Sequence, residues 1–163
     1  MKFVKRALKI LVYLFIILLI GGYFFIRFIA NRSVPDYNKK IELKGLNEEV
    51  KVSRDSFAIP HIYANNEEDL YRAVGYLMAQ DRLWQMDLLR RVTQGRLSEI
   101  FGEDMVDADL FLRALRIPEK SVFLMEIASP EILSAFEAYT DGINQYIEQH
   151  IHKLPPEFAI LGY

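Results

Sequence analysis

The chain predicts an α+β fold, mostly helical, with one β-hairpin near the start of its folded part. Three observations carry this. Two short runs rich in β-formers, 49–55 and 59–64, flank a four-residue turn. A stretch of helical period runs from Asn65 to Gly95. A second begins at Ser129-Pro130-Glu131, where a capping serine, a first-turn proline and an acid stand in order.

The first element precedes all of these. Ile10 to Ile26 is an unbroken uncharged run, near the short limit for a membrane-spanning helix. Lys2, Lys5, Arg6 and Lys9 stand before it, and Arg27 and Arg32 follow it, with Tyr23, Phe24, Phe25 and Phe28 at the far interface. A signal-peptide cut after Ala30 would put Phe28 where a small residue belongs, so the segment reads as an uncleaved anchor. Residues 1–33 are therefore an anchor (spanning about 10–26), with the N-terminal cations in the cytoplasm and the body outside. Residues 34–48, polar and containing Pro35, read as a linker. Residues 49–163 are the folded part.

Charge divides along the same line. Residues 1–33 hold six Lys/Arg and no acid, whereas 34–163 hold 14 Lys/Arg against 22 Asp/Glu. An acidic body with a basic tip argues against a nucleic-acid partner. The absence of cysteine excludes disulfides, thiolate metal sites and a Cys nucleophile.

In the hairpin, Val50 and Val52 alternate along the first strand and Ile59, Ile62 and Tyr63 mark the second. The turn is Asp55-Ser56-Phe57-Ala58. Asn65-Asn66-Glu67-Glu68 then reads as a helix start. Leu70, Val74, Leu77, Trp84, Leu88 and Val92 follow at steps that share one face, and Asp81 falls on that face. Tyr71, Met78 and Leu89 widen the stripe, and Ala73, Tyr76 and Leu83 extend it. A helix apolar nearly all round is buried on most sides. Gly95 stops it. A shorter helix is expected over Glu103–Leu115, with Met105, Ala108, Phe111, Leu112 and Leu115 inward, and another over Pro118–Ile127. The last runs from Ser129 to about Gln149 on Ile132, Phe136, Tyr139, Ile143, Tyr146 and Ile147.

One block carries more than periodicity. Arg54-Asp55, then Pro60-His61, then Gln80-Asp81-Arg82 with Gln85, then Arg90-Arg91 and Gly95 occur in an order and spacing that resembles the start of the penicillin acylase (penicillin amidase) family. The resemblance covers roughly Val50 to Tyr163. It implies an N-terminal nucleophile hydrolase that cleaves acyl amides. The complete protein would be a four-layer αββα fold made from one precursor that splits in two, and this chain would be the N-terminal part of its smaller, α, subunit. The partners so implied are the remainder of the same precursor (the β subunit), a membrane through the anchor, and a small amide such as a β-lactam side chain or an acyl-homoserine lactone. The implied location is the bacterial inner membrane, with the body periplasmic or extracellular. Calcium binds some family members, through ligands outside this segment. The family pattern has glycine where Ala58 stands, so a turn needing positive φ would be strained here.

The chemistry expected of the family needs a serine freed as a new N-terminus, its own amine acting as base. The seven serines are Ser33, Ser53, Ser56, Ser98, Ser121, Ser129 and Ser134; Ser129 reads as a helix cap and none of the others sits in a cleavage-prone context. No catalytic, substrate-binding or metal residue is assigned, and the segment alone is expected to be inactive. The motif residues read as structural: Asp81, on an apolar face, requires a cation, supplied by Arg54, Arg82, Arg90 or Arg91. His61 reads as a hydrogen-bonded structural histidine. His150 and His152, two residues apart, make a poor metal pair. The rival expectation is a membrane-anchored helical interaction protein without catalysis.

Overall fold

The computed structural model describes residues 2–32 and 34–163. It divides into two units, Met1–Asp36 and Tyr37–Tyr163. The first consists of one helix, α1 (Lys2–Arg32), whose apolar portion Leu8–Ile29 is 22 residues long with mean hydropathy 2.4. At 1.5 Å per residue that is about 33 Å, enough to cross a bilayer core of about 30 Å. The apolar span exceeds the 10–26 run because the helix tolerates Lys9 and Arg27 near its ends.

The second unit opens with an irregular segment and then the hairpin. Strand β1 (Lys51–Arg54) pairs antiparallel with β2 (Pro60–Tyr63), in the register Lys51↔Tyr63, Val52↔Ile62, Ser53↔His61, Arg54↔Pro60. The turn between them puts Ala58 at φ +62°, so the strain foreseen for a non-glycine residue is present. Helix α2 (Glu67–Gln94) follows. The Asn66 side chain accepts from the Asp69 N–H as N-cap, and Gly95 ends the helix at φ +61° with its N–H returned to Arg91 and Val92. Short α3 (Ser98–Phe101), a 3₁₀ turn (Glu103–Met105), α4 (Val106–Ala114) and α5 (Ile117–Glu126) lead to α6 (Pro130–His150), capped by Ser129. Helix α7 (Pro156–Leu161) comes last; the Pro155-Pro156-Glu157 start that sets it was not recognised from the sequence.

The α2–α6 pair is the centre of this unit. Tyr76, Ala79, Leu83 and Tyr146 form its buried core, with Leu43, Ile143, Ile147, Leu154 and Phe158 packed around. Two glycines let the backbones meet. A Cβ on Gly75 would lie 2.0 Å from the Tyr139 carbonyl oxygen, and one on Gly142 would lie 2.0 Å from the Arg72 carbonyl oxygen. Each glycine therefore accommodates the opposite helix.

That crossing corrects the expected inward face. The buried apolar residues of α2 are Ala73, Tyr76, Leu77, Ala79 and Leu83, whereas Leu70, Val74, Trp84, Leu88 and Val92 are only partly covered. A helix apolar over most of its circumference does not fix its own phase; the small residues Gly75 and Ala79 do, because only there can α6 approach. In addition, α2 is kinked at Arg82 (φ −144°, ψ 25°), which breaks the period on which the stripe was extrapolated. The inward set for α4 is also displaced. Ala108, Phe111 and Leu115 are exposed, and the buried residue is Asp109. In α6, Ile132 and Phe136 are exposed, and the buried positions begin at Ala138.

The segment expected as linker is partly built into the body. Gln145 accepts from the Lys44 N–H (2.8 Å) and donates to the Lys44 carbonyl (2.9 Å), pairing with one residue's backbone as a strand would. Gln149 donates to the Glu42 carbonyl (3.1 Å) and Arg72 to that of Gly45. Asp69, with no exposed surface, accepts from the N–H groups of Asn47 and Glu48 (both 2.9 Å). Residues 42–48 thus form a strap whose backbone is satisfied by side chains rather than by a sheet.

Candidate functional site

The motif residues gather at two places. The first is the junction of the hairpin with α2. Arg54, at the end of β1, faces Pro60 in the register and reaches across to the helix. It holds both oxygens of Asp81 (2.9 and 3.0 Å) and also donates to Gln80 Oε1 (3.0 Å) and the Ala58 carbonyl (2.7 Å). The Tyr37 ring covers its other side, 4.2 Å from the guanidinium carbon. Such a planar fork suits a carboxylate better than a lysine would. Asp81 therefore has its cation, and among the four arginines considered it is Arg54. The setting differs from expectation, however: the Asp81 side chain is 23% exposed, because the kink at Arg82 turns it toward the hairpin at the margin of the core.

Asp55 organises the turn. Its Oδ1 accepts from Phe57 N–H (2.8 Å) and Ile59 N–H (3.0 Å), and its Oδ2 lies 3.4 Å from His61 Nε2. The Ile59 N–H, with smaller help from Phe57 and His61, holds its carboxyl below the usual range. His61 projects from the hairpin with half its side chain exposed. An open groove of about 830 Å³ runs beside this junction, between the strap, β1 and the Tyr76–Leu77 stretch of α2. Arg54 and Gln80 at its edge are already bonded to each other.

The second place is the C-terminal end of α2. Asp87 accepts from Arg90 (2.6 and 3.1 Å) and Arg91 (2.9 Å). Arg91 continues to Glu99 (2.8 Å), which Arg96 also holds, and the Tyr163 ring lies 4.4 Å from the Arg91 guanidinium. Burial pushes the Asp87 carboxyl up, but the two arginines outweigh it and the net shift is down. Just beyond, Asp109 accepts from Leu97 N–H, Ser98 N–H and the Ser98 hydroxyl (2.7, 2.8 and 2.6 Å). Burial pushes its carboxyl up too, and the Ser98 hydroxyl and N–H groups again prevail. Gly95 is closed in by α4, a Cβ there falling 2.6 Å from the Asp109 carbonyl oxygen. Arg82 and Gln85 join neither group. Both are exposed on α2.

Asp69, Arg72, Asp87, Glu99, Asp109 and Gln145 were not singled out in the sequence. The spacings Asp69–Arg72, Asp87–Arg90, Asp87–Arg91 and Arg96–Glu99, each about one helical turn, offered local signals; Asp109 and Gln145 bond backbone far away in sequence. The serines do structural work where bonds are seen: Ser98 toward Asp109, Ser121 toward the Ile117 carbonyl, Ser129 as cap; Ser33 lies outside the described residues. Among the described residues no three His, Asp or Glu side chains converge as metal donors.

A kinked helix, clamped to a two-stranded antiparallel hairpin by one arginine and fastened at its far end by an arginine–carboxylate ladder, defines a mostly helical α+β protein. The sequence model of the penicillin amidase family matches residues 49–163, and the chain belongs to that family. It is 37% identical over 134 residues to an acyl-homoserine lactone acylase, QuiP, of Pseudomonas fluorescens (strain Pf0-1), covering 82% of this chain and 16% of the relative. It is 38% identical over 119 residues to penicillin G acylase of Escherichia coli (71% and 14%) and 36% identical over 130 residues to penicillin acylase 2 proenzyme of Pseudomonas sp. SE83 (80% and 17%). Among solved structures, a thermostable penicillin G acylase from Alcaligenes faecalis superimposes with TM-score 0.62 at 32% identity, covering 71% of this chain and 63% of that one. The chain spans about one-sixth of the length of these curated relatives.

Proposed function

We propose that residues 49–163 are the N-terminal part of a hydrolase that cleaves acyl amide bonds, made as a precursor whose later portion supplies the nucleophilic serine. The observation that supports this is the family match across residues 49–163, shared with relatives named as acylases. In this reading the complete fold is a four-layer αββα hydrolase. The hairpin and the α2–α6 pair are scaffold within it, and Arg54 and Asp81 act by fixing the hairpin on α2. Helix α1 is an uncleaved anchor that holds the body on the outer side of the bacterial inner membrane. The substrate class is an acyl amide, a β-lactam side chain or an acyl-homoserine lactone among them.

The test is expression of the whole precursor. It should split into two chains, the second beginning with serine, and should hydrolyse a chromogenic phenylacetyl amide or an N-acyl-homoserine lactone. A folded full-length protein that neither splits nor turns over any acyl amide would overturn the reading.

A further inference from the structure

Helix α2 has a second face, turned away from α6, that nothing among the described residues covers. Met78 before the kink, and Arg82, Gln85 and Leu89 from the kink onward at steps of three and four, are all exposed. Leu89 is 63% exposed. The hairpin turn lies alongside. A single Arg54 nitrogen bonds both the Ala58 carbonyl and the Asp81 carboxylate, which fixes the turn against α2 one residue before Arg82. That turn carries Phe57, 83% exposed at its tip, and leads into Ile59, 54% exposed. It is not a loose loop. Asp55 gathers two of its N–H groups and Arg54 takes its last carbonyl, so Ala58 is held at positive φ. Such rigidity lowers the ordering cost when the turn is covered.

Arg82 sets this face apart from an ordinary apolar patch. Arg54, Arg72, Arg90, Arg91, Arg96 and Arg116 each hold a carboxylate. Arg82 makes no hydrogen bond or ion pair among the described residues. An unpaired guanidinium amid an aromatic, a methionine and leucine is the composition of an interface core.

We propose that the face formed by Phe57, Ile59, Met78, Arg82, Gln85 and Leu89 is the docking surface for the later part of the same polypeptide, beyond Tyr163, which brings an apolar segment and a carboxylate to Arg82. This rests on the proposed reading of the chain as the front of a longer acylase-type precursor. The match covering only 14–17% of the relatives points to that occupant.

The experiment uses the full-length protein with p-benzoylphenylalanine in place of Leu89, and separately in place of Phe57. Irradiation of dilute protein should join both positions to peptides that follow Tyr163 in the same molecule. Arg82→Glu should lower the yield at position 89 several-fold. Cross-links to a second copy, seen as a doubled mass, or to lipid would overturn the proposal, as would the absence of any cross-link in folded protein. Hydrolysis of acyl amides is measured on the same samples. Cross-linking without hydrolysis would remove the proposed function and leave the docking surface; hydrolysis without cross-linking would do the reverse.

Discussion

Replacing Gly75 with alanine sets two opposite effects against each other. Within a helix, alanine is favoured over glycine by about 1 kcal/mol, so propensity alone predicts a more stable protein. Packing predicts the opposite. The new Cβ would stand 2.0 Å from the Tyr139 carbonyl oxygen and 2.9 Å from its carbon. A close carbon–oxygen contact is about 3.3 Å, so α6 must retreat by about 1 Å. The obstructing atoms are main chain and cannot rotate aside. Retreat also loosens the edge-on contact of Tyr76 with Tyr146, ring centres 5.3 Å apart, and the grip of Gln145 on the strap. Overpacking of this kind costs about 1–3 kcal/mol or more. We expect a net loss of about 2 kcal/mol, a fall in Tm of about 8 °C. Urea and thermal unfolding of the full chain in detergent, followed by the fluorescence of Trp84, the single tryptophan, give the measurement. Gly142→Ala should behave alike, and the double variant should cost less than the sum because both relieve one crossing. Gly21→Ala in α1, with open space around it, should not lower Tm. A Gly75→Ala protein that melts at or above the wild type would refute the close crossing.

Three further outcomes follow from the geometry. Ala58→Gly removes a left-handed strain of about 1–2 kcal/mol, partly offset by greater freedom when unfolded, and should raise stability by about 0.5–1 kcal/mol in the same unfolding assay. Asp81→Ala breaks an ion pair at the margin of the core, so the loss should be about 1–2 kcal/mol, below the 3–5 typical of a fully buried pair; a larger loss would mean that Asp81 is more deeply enclosed than its 23% exposure indicates. Burial pushes the Asp69 carboxyl up, but the Asn47 N–H, the Asn66 amide, the Glu48 N–H and Arg72 together hold it below the usual range. A lowered folded value contributes stability above the unfolded pKa of about 3.9, and that stability is lost as pH falls through the folded value. Stability should therefore drop below about pH 4, and Asp69→Asn should be weaker at neutral pH with a shallower acid slope.

What the sequence disclosed is what local chemistry determines. Asn66, Gly95 and Ser129-Pro130 marked helix ends because a cap needs only its own few neighbours. The hairpin was visible because β-formers bracket a turn, and the motif from Arg54 to Gly95 was visible because its spacing is long and specific. The phase of α2 was hidden, since leucines and aromatics surround it and only the encounter with Gly142 decides which side faces α6. Asp109 was hidden because an acid in a helix reads as solvent-facing until two N–H groups 11 and 12 residues earlier point at it. Gln145 was hidden for the same reason at a separation of 101 residues. Arg54 was one of four arginines that could have met Asp81, and helical spacing alone could not choose a partner lying on a strand.

The strap also has a mechanical meaning. A pull arriving from the N-terminal side of residue 42 runs along a chain gripped by Gln149, Gln145, Arg72 and Asp69, one after another, all rooted in α2 and α6. Four side chains from two helices thus share the hold on one short run of chain. Along the main chain, tension would pass to β1 only through these grips, although the Tyr37 ring, stacked on Arg54, would feel the pull before them.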